Sequence, residues 1–485
     1  MTAAARRPLP PLPPTSSIER VHIIGICGTA MGTLAAMFAE RGLRVRGSDA
    51  MAYPPMSTWL EERGLVIQSG YAAEHVAADT QLVVVGNVSR VDNPEAVAAR
   101  ERGLPMVSLP EALRLFFFAD HSGLVVTGTH GKSTTTAMCA WALHETGRDP
   151  SFFLGGVLRE LHTNYRLGAG GLFVVEGDEY DTAYFDKVPK FWHYPAAAAT
   201  INNVEHDHVD IYPTFEDVRH VFARFAAQVT DRLFVNGDDA EALAASAQAS
   251  CGVTRFGLGA ENDLRAEITG VDEAGTHVRV SDHRGTAAVE VGAFTLPTVG
   301  AFNVRNALGA SLLAEWSGVP LADALTALTR YPGVKKRQEI RGRVGDILVI
   351  DDFAHHPTAV ASTVAALRER YATRRLVVAF EAKSNTTRRA LFQSAYPPAF
   401  AGADVVVLSR PWKKDNLPAS ELLSIERLAD DIRALGVEVH LIEDVDDIVA
   451  WAGEALADGD VFAGLSGSAF GGLHDRVIEA LSARG

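Results

Sequence analysis

Seven residues at positions 128–134 have the types and spacing of a phosphate-binding loop. Their sequence, Gly-Thr-His-Gly-Lys-Ser-Thr, lies between an apolar run at residues 124–126 and a helical pattern at residues 133–145. Glycines allow a tight turn in which several N–H groups and a helix N-terminus point at one anion, while a lysine adds a cation and a serine offers Mg²⁺ a hydroxyl. The predicted ATP-binding residues of this loop are Gly128, Thr129, His130, Gly131, Lys132, Ser133 and Thr134.

Carboxylates follow a second buried-strand pattern. Residues 172–175 are apolar and lead into Glu-Gly-Asp-Glu-Tyr-Asp at residues 176–181. Open α/β sheets bind their ligands at the carboxyl edge, and Mg²⁺ on a bound phosphate needs an oxygen ligand there. Glu176 is the predicted ligand, although a solvated acidic loop would have the same composition.

Two histidines follow a third strand pattern, within residues 199–210. His206 and His208 are two positions apart, so an extended backbone would point both side chains the same way, whereas a turn would not. Neither belongs to a zinc pattern of thiolates or HExxH. Each could also be an ordinary hydrogen-bonded surface histidine.

A glycine-rich loop near the N-terminus predicts a second ligand site. Residues 21–24 have a strand pattern, residues 25–32 read as a turn, and residues 33–41 as a helix. Helix N-terminal amides could face a diphosphate, and Asp49, after a strand at residues 44–47, could accept a hydrogen bond from a ribose hydroxyl. Such a loop alone would serve NAD, a nucleotide sugar or only the fold.

Composition argues against several kinds of partner and scaffold. The net charge of −15 disfavours nucleic acid or an anionic membrane as a partner. Cys27, Cys139 and Cys251 form no CxxC pair, which suits a reducing cytoplasm rather than a disulfide scaffold. Residues 1–18 are Pro-rich and lack the apolar stretch of a signal peptide, so we expect a disordered tail.

The alternation of strand and helix patterns predicts an α/β fold with three domains, as the 485-residue length also suggests. We expect a Rossmann-like N-terminal domain at residues 19–120, a central P-loop ATPase-type domain at residues 121–337, and a Rossmann-like C-terminal domain at residues 338–485. Strand patterns at residues 376–380 and 461–465 support the last of these.

Several motifs together resemble the Mur ligase family of ATP-dependent amide-forming enzymes. They are the P-loop, the run that begins at Glu176, residues 203–210 and the Asn-Val-Arg-Asn-Ala sequence at residues 303–307, and they span the three expected domains. Further motifs resemble the family member that adds a tripeptide to UDP-N-acetylmuramate; they lie at residues 25–32, 53–57, 176–186, 351–358, 384–386 and 470–474.

The resemblance implies a cytoplasmic ligase, a monomer or weak dimer, that works through an acyl phosphate in cell-wall peptide recycling. The carboxylate of UDP-N-acetylmuramate would attack the γ-phosphate of ATP, and the amine of L-Ala-γ-D-Glu-meso-diaminopimelate would then displace phosphate. Lys132, Glu176 and His208 would be catalytic. One Mg²⁺ would be held by Ser133 and Glu176, and a second by His208 and Glu176.

A carboxylated lysine, which several family members place beside the second metal, has no counterpart here. The chain has no lysine between Lys190 and Lys335, so none is available in the stretch after His208. This departure agrees with the muramate-binding branch of the family and leaves the charge balance of the second metal open.

The resemblance also assigns further binding residues. Asn303 and Asn306, one helical turn apart, would offer amides to adenine or pack the core instead. The remaining predicted ATP contacts are Arg337, Asp351 and His355. The UDP-sugar would contact Gly25, Cys27, Gly28, Thr29, Met31, Gly32, Ser48, Asp49, Asn87 and Ser89. The peptide would contact Lys383, Ser384, Asn385 and Arg388.

Three alternatives stay open. The family member that adds L-alanine shares the ATP motifs, but it usually has Gly-Gly and Met-Ser where this chain has Cys27-Gly28 and Met31-Gly32. A glutamyl transferase resembling folylpolyglutamate synthase would lack the N-terminal domain. A non-catalytic nucleotide-binding protein would need the P-loop but not Glu176 with its neighbours.

Overall fold

The computed structural model describes residues 10–52, 56–209, 211–383, 387–410 and 418–484. Three sheets follow one another along the chain, each packed against helices, which confirms the predicted α/β class. One sheet lies inside each predicted domain range. In the described part of the chain, no helix is both long enough and apolar enough to cross a membrane.

The N-terminal domain is built on a parallel sheet. It contains β1 (Arg20–Ile24), α1 (Thr29–Glu40), β2 (Arg44–Asp49), α2 (Met56–Glu61), β3 (Val66–Ser69), β4 (Leu82–Val85), α3 (Pro94–Glu101), β5 (Met106–Ser108) and α4 (Leu109–Phe117). The strand order is β3-β2-β1-β4-β5. The strands are added to one side of β1 up to β3 and to the other side from β4 onwards. The loops after β1 and β4 therefore meet at a topological switch point, where such sheets bind ligands.

Two features of this domain differ from the expectation. Helix α1 begins at Thr29, four residues earlier than predicted, and Gly32 lies in its first turn. A Cβ at Gly32 would come within 2.7 Å of Met56 Sδ, so close packing explains a glycine that the sequence analysis assigned to a turn. Residues 1–9 of the expected disordered tail lie outside the described residues, but Thr15–Ser17 form a 3-10 turn and Ile18 is buried, so the expectation is wrong for the end of that segment.

The central domain has a long mixed sheet. It contains β6 (Ser122–Thr127), α5 (Lys132–Glu145), β7 (Ser151–Leu158), β8 (Thr163–Arg166), β9 (Leu172–Glu176), β10 (Ala196–Ile201), α6 (Phe215–Gln228), β11 (Arg232–Asn236), α7 (Ala240–Ser246), β12 (Gly252–Gly257), β13 (Leu264–Asp272), β14 (Gly275–Asp282), β15 (Val289–Leu296), α8 (Ala301–Trp316) and α9 (Leu321–Leu328). The order is β15-β14-β13-β12-β11-β10-β6-β9-β7-β8.

Strand β6 is parallel to both of its neighbours, β10 and β9. The P-loop follows β6, the acidic run follows β9, and the histidine-containing segment follows β10. Because the carboxyl ends of parallel strands meet at one edge, this topology gathers the three predicted motifs at the middle of the sheet.

The C-terminal domain is again a largely parallel sheet. It contains β16 (Glu339–Val344), β17 (Ile347–Asp352), α10 (Pro357–Arg370), β18 (Leu376–Glu381), α11 (Tyr396–Ala399), β19 (Val405–Ser409), α12 (Ile425–Arg433), β20 (Glu438–Ile442), α13 (Val445–Ala455), β21 (Val461–Ser466) and α14 (Leu473–Ser482). The order is β16-β17-β21-β18-β19-β20, with only β16 antiparallel to its neighbour in this set.

The junction between the central and C-terminal domains is conformationally unusual. Lys336 and Gln338, which flank Arg337, have φ angles of 58° and 47°. The side chain of Gln338 returns to the central domain, where its Oε1 accepts a hydrogen bond from Val299 N at 3.3 Å. Positive φ costs a non-glycine residue about 1–2 kcal/mol, so these contacts must hold the junction in its conformation.

Candidate active site

The P-loop is shaped by two glycines. Gly128 and Gly131 have φ angles of 135° and 81°, which other residues rarely adopt. A Cβ at Gly131 would lie 2.5 Å from Asn306 Oδ1, and one at Gly128 would lie 3.0 Å from Asn202 Cβ. The loop therefore needs glycine both for its turn and for the close approach of the chain segments behind it.

Lys132 is held in the loop by oxygen atoms of the protein. Its Nζ donates to the carbonyl oxygens of Gly128 at 2.8 Å and Thr129 at 3.1 Å, and to Glu179 Oε2 at 2.8 Å. Burial alone would lower the pKa of Lys132, but the charges of Glu179 and Asp178 raise it above its ordinary value. Lys132 is therefore a fixed cation at the mouth of the loop.

Glu176 lies where β9 ends and is buried beside the first turn of α5. Its Oε2 accepts a hydrogen bond from Ser133 Oγ at 3.0 Å, and its Oε1 accepts one from Gly155 N at 2.7 Å. Burial, reinforced by the charge of Asp178, raises the pKa of Glu176 to about 7. The structure thus brings together the hydroxyl and the carboxylate that were predicted to share one metal ion.

His208 lies beside a carboxylate of the acidic run. Its Nε2 is 3.4 Å from Glu179 Oε1, while its sharing of a metal ion with Glu176 stays a prediction. Burial would lower the pKa of His208, but Glu179 outweighs burial and raises it. His206 points elsewhere and contacts the carbonyl oxygen of Tyr212 at 3.0 Å, because the backbone turns at His208, where φ is 51°.

The donor atoms at this edge fit Mg²⁺. Among the described residues, Glu179 Oε1 is buried and makes no hydrogen bond of normal geometry, since His208 Nε2 approaches it only to 3.4 Å, which leaves a lone pair for a cation. Ser133 and Glu176 supply further oxygens, the ligand type that Mg²⁺ prefers, while the imidazole of His208 is a less usual addition. The chemistry of these side chains is therefore compatible with the predicted metal.

Helix α8 and the domain junction form another wall of the site. Asn303 and Asn306 are buried, and Asn306 Nδ2 donates to Asn303 Oδ1 at 3.2 Å. Asn303 Nδ2 donates to Val299 O at 2.9 Å, so both amides have protein partners here and their contact with adenine stays a prediction. Arg337 stacks on the Phe353 ring at 4.9 Å, and its charge reaches Glu176, where it opposes in part the rise in the pKa of that carboxyl that burial causes.

The C-terminal domain contributes two of the predicted ATP contacts. Asp351 is buried within its own domain, where its Oδ2 lies 3.6 Å from His474 Nδ1 and 3.8 Å from Arg341 Nη1. Burial raises the pKa of Asp351 to about 6. His355 donates from Nδ1 to Phe353 O at 2.8 Å, and burial lowers the pKa of its imidazole.

The predicted UDP-sugar residues gather at the switch point of the first sheet. Gly25 N donates to Ser48 O at 2.8 Å, and Cys27 N donates to Asp49 Oδ2 at 2.9 Å, so the glycine-rich loop is fixed to the end of β2. The residues lie in the loop after β1, in the first turn of α1, at the end of β2 and after β4: Gly25, Cys27, Gly28, Thr29, Met31, Gly32, Ser48, Asp49, Asn87 and Ser89. Ser89 Oγ is buried without a partner within the described chain.

The predicted peptide residues are only partly described. Ser384 and Asn385 lie outside the described residues. Lys383 is half-exposed, and its Nζ lies 3.4 Å from Glu381 Oε1 at the end of β18. Arg388 is partly buried, and its carbonyl oxygen accepts a hydrogen bond from Leu423 N at 2.8 Å.

Sequence reasoning missed two buried acids of these sites. Glu179 was visible in the acidic run, yet Glu176 was selected because it directly follows the strand. Glu95 is fully buried beneath the first-domain loop and accepts hydrogen bonds from Ser48, His22 and His75. No local pattern indicated Glu95, because its partners are 20 to 73 positions away along the chain.

Comparison with protein families gives matches in each part of the chain. Residues 20–119 match the family "Mur ligase family, catalytic domain", residues 126–314 match "Mur ligase middle domain", and residues 336–466 match "Mur ligase, glutamate ligase domain". The three matches follow the order of the three sheets.

Individual relatives cover nearly the whole chain. A UDP-N-acetylmuramate–L-alanyl-γ-D-glutamyl-meso-2,6-diaminoheptandioate ligase of Escherichia coli is 34% identical over 96% of this chain and 98% of its own length. A UDP-N-acetylmuramate–L-alanine ligase of Geobacter is 33% identical over 92% and 94%. The crystal structure of a murein peptide ligase from Psychrobacter arcticus, 32% identical, covers 96% of this chain and 99% of its own with a TM-score of 0.70. The chain belongs to the Mur ligase family and is an ATP-dependent ligase.

Proposed function

We propose that this enzyme joins the carboxylate of UDP-N-acetylmuramate to the amine of L-Ala-γ-D-Glu-meso-diaminopimelate in the recycling of cell-wall peptide. The observation that carries the proposal is the similarity to the Escherichia coli ligase of that name, which extends over 98% of the relative's length. The similarity to the murein peptide ligase structure supports the same substrate. The enzyme would work in the cytoplasm as a monomer or weak dimer.

The first step forms an acyl phosphate. The muramoyl carboxylate attacks the γ-phosphorus of ATP, the bond to the bridging oxygen breaks, and ADP leaves. Both reactants are anions, so positioning and charge neutralisation dominate the barrier. Lys132 is placed to donate to phosphate oxygens, which would replace the carbonyl oxygens of Gly128 and Thr129 as its partners.

Mg²⁺ fits this site through the oxygen atoms of three side chains. Ser133 and Glu176 would hold one ion, and Glu179 with His208 and Glu176 a second. When bound, Mg²⁺ would neutralise phosphate charge. Binding needs the ionised carboxylate, and the pKa of Glu176 at about 7 makes that ionisation dependent on pH near neutrality.

The second step forms the amide. The peptide amine attacks the acyl carbon, the carbon–oxygen bond to phosphate breaks, and the amine loses a proton. The C-terminal domain would bind the peptide through Lys383, Ser384, Asn385 and Arg388. Family members usually have arginine at the position of Lys383. Lys383 therefore offers the peptide carboxylates a compact ammonium group instead of a planar guanidinium that donates two parallel hydrogen bonds.

A second candidate is the addition of L-alanine to UDP-N-acetylmuramate. The Geobacter relative that carries this name is 33% identical to the chain, almost as similar as the tripeptide ligase. The two reactions share the first step and differ in the acceptor. Turnover with each acceptor therefore distinguishes the two candidates.

The test is ADP release with Mg²⁺, ATP and UDP-N-acetylmuramate, with either L-alanine or the tripeptide as acceptor. We expect turnover with the tripeptide and none with L-alanine. Turnover with L-alanine alone would assign the second candidate, and no turnover with either would contradict both. Lys383→Ala should raise KM for the tripeptide far more than KM for ATP, and equal increases would remove Lys383 from the peptide site.

A further inference from the structure

Three side chains that could bind a metal meet between the central and C-terminal domains. His130 belongs to the P-loop and Glu205 to the segment after β10, while His356 is the residue directly before α10. Glu205 Oε2 lies 3.4 Å from His130 Nε2 and 3.6 Å from His356 Nδ1. One potential ligand atom from each residue lies within 4.8 Å of the other two. The three residues form what we call the His-Glu-His cluster.

His356 is the most buried member of the cluster, and its ring also packs against Phe392 with a centroid separation of 4.9 Å. Its side chain is 7% exposed, yet within the described chain neither ring nitrogen has a hydrogen-bond partner. A buried polar group without a partner destabilises the fold, so such groups are rare unless an ion or another ligand binds them. Its ring faces His130 with a centroid separation of 4.9 Å. The unpaired imidazole is therefore directed into the cluster.

The spacing of the cluster suits a small transition-metal ion. Zn²⁺ binds imidazole nitrogen and carboxylate oxygen at about 2.0–2.2 Å in tetrahedral geometry, which separates neighbouring ligand atoms by about 3.4 Å. The two separations from Glu205 Oε2 are close to this value. Two nitrogens and one oxygen also disfavour Mg²⁺, which demands oxygen ligands.

Neighbouring residues hold the cluster in place. Thr358 Oγ1 donates to Glu205 Oε2 at 2.7 Å, which orients the carboxylate. Asn203 accepts from His130 N at 2.7 Å and donates to His130 O at 3.2 Å, which fixes the backbone of that histidine. Such supporting contacts are typical of metal sites. A cleft of about 460 Å³, lined in part by Glu205 and His356, leaves room for a water as fourth ligand.

We propose that His130, Glu205 and His356 bind one Zn²⁺ ion, distinct from the Mg²⁺ that ATP requires, and that this ion links the central and C-terminal domains. The link follows because the first two ligands and the third lie on different domains. It does not depend on which amine the ligase uses.

The test is a calorimetric titration of the metal-free, full-length protein with Zn²⁺ in excess Mg²⁺. We expect one Zn²⁺ per chain. His356→Ala and Glu205→Gln should each weaken binding about tenfold or more, by analogy with the loss of a supporting ligand contact. His440→Ala serves as control, because His440 lies on β20 and pairs with Glu438. It should leave the affinity unchanged.

Co²⁺ gives an independent readout of the coordination. Co²⁺ in place of Zn²⁺ should produce the visible absorption of a four-coordinate site in the wild-type protein and in His440→Ala, and not in Glu205→Gln. If His356→Ala does not fold, the Glu205→Gln variant alone decides the question. Absence of a stoichiometric Zn²⁺ site, or equal affinity in wild type and both cluster variants, would overturn the proposal.

Discussion

Glu179 holds Lys132 in place before ATP binds, and this buried pair can be tested by its effect on stability. In Glu179→Ala the ammonium of Lys132 stays buried and loses its carboxylate partner at 2.8 Å. Breaking such a pair from one side costs about 3–5 kcal/mol. We expect a loss of that order in the free energy of unfolding, measured by urea denaturation.

The control for this prediction is a double-mutant cycle. Lys132→Met removes the charge that Glu179→Ala leaves unpaired, so the double variant should lose less stability than the sum of the two single losses. Coupling of neighbouring residues is about 0.5–3 kcal/mol in such cycles. Strictly additive losses would mean that Lys132 and Glu179 do not stabilise each other.

Glu176 should make the protein less stable at high pH when no metal is present. Its folded pKa of about 7 lies above the ordinary value of 4.5, because burial disfavours the charge. The folded state then binds the proton more tightly than the unfolded state. The resulting stabilisation is complete below the unfolded pKa and is lost as the pH rises through 7.

Glu176→Gln removes this titration while keeping the size of the side chain. Relative to wild type, the variant should gain about 2–3 kcal/mol in free energy of unfolding between about pH 5 and pH 8, from the shift of the Glu176 pKa. The measurement is urea denaturation in a chelator at both pH values, and the same variant should have lost ligase activity. A stability difference that is constant with pH would refute the shifted pKa.

At this scale the sequence predicted the identity of several residues but not their partners. Lys132 and Glu176 were found because a P-loop and a strand end each have a local pattern. The pairing of His208 with Glu179 could not be foreseen, since it depends on the positive φ of His208 and on the path of the loop after Gly177. Both are set by packing against distant segments.

Helix α5 begins and ends beside glycines, which provide a matched test of the P-loop. Gly131 and Gly147 have similar φ angles, 81° and 75°. A Cβ at Gly131 would lie 2.5 Å from Asn306 Oδ1, whereas a Cβ at Gly147 would have nothing within 4 Å. Both Gly→Ala variants should lose about 1–2 kcal/mol from backbone strain, and Gly131→Ala should lose a further ~1–3 kcal/mol from the clash.

The two glycine variants should also differ in their affinity for ATP. Gly131→Ala should weaken ATP binding in a calorimetric titration, because the loop must shift away from helix α8. Gly147→Ala should bind ATP as wild type does, since it lies at the other end of the helix. Equal ATP affinities in the two variants would show that the approach of Asn306 does not shape the loop.

At the scale of elements, strands were predicted more accurately than helix starts. The expected strands at residues 172–175 and 376–380 are the observed β9 and β18, each one residue longer than expected. An apolar run marks a buried strand directly. Helix α1 was placed too late because Gly32 and its neighbours suggested a turn, whereas the contact with Met56 that requires this glycine is not local.

The relative placement of the domains had no local sequence signal. Asn164 of the central domain donates to Thr33 of the first domain at 2.5 Å, and Arg370 Nη2 of the C-terminal domain donates to Glu273 O at 2.6 Å. The residues of these pairs are 131 and 97 positions apart along the chain. Motifs could therefore predict which residues bind a ligand, but they could not predict which residues hold the domains together.

Gln338 is the residue through which domain closure can be tested. The predicted ligands of ATP lie on both the central and C-terminal domains, and the acyl phosphate must be kept from water, so we expect closure when substrates bind. The Gln338 amide exchanges hydrogen bonds with Val299 of the central domain, and Gln338 N donates to Asp352 Oδ2 at 2.7 Å. Its side chain thus restrains the junction, while its φ of 47° suits glycine better than glutamine.

Both Gln338→Gly and Gln338→Ala remove the side-chain amide. Glycine adopts the positive φ without strain, whereas alanine retains a backbone strain of about 1–2 kcal/mol. If the amide restrains the junction, both variants should have a larger radius of gyration than wild type in X-ray scattering without substrates. A non-hydrolysable ATP analogue with UDP-N-acetylmuramate should then compact all three proteins to a similar radius, because ligands that bridge the domains replace the lost contact. A larger radius of gyration in Gln338→Ala alone would assign the effect to backbone strain. Unchanged radii in both variants would mean that other contacts between the two domains, such as that of Arg370 with Glu273, set the domain arrangement without the Gln338 amide.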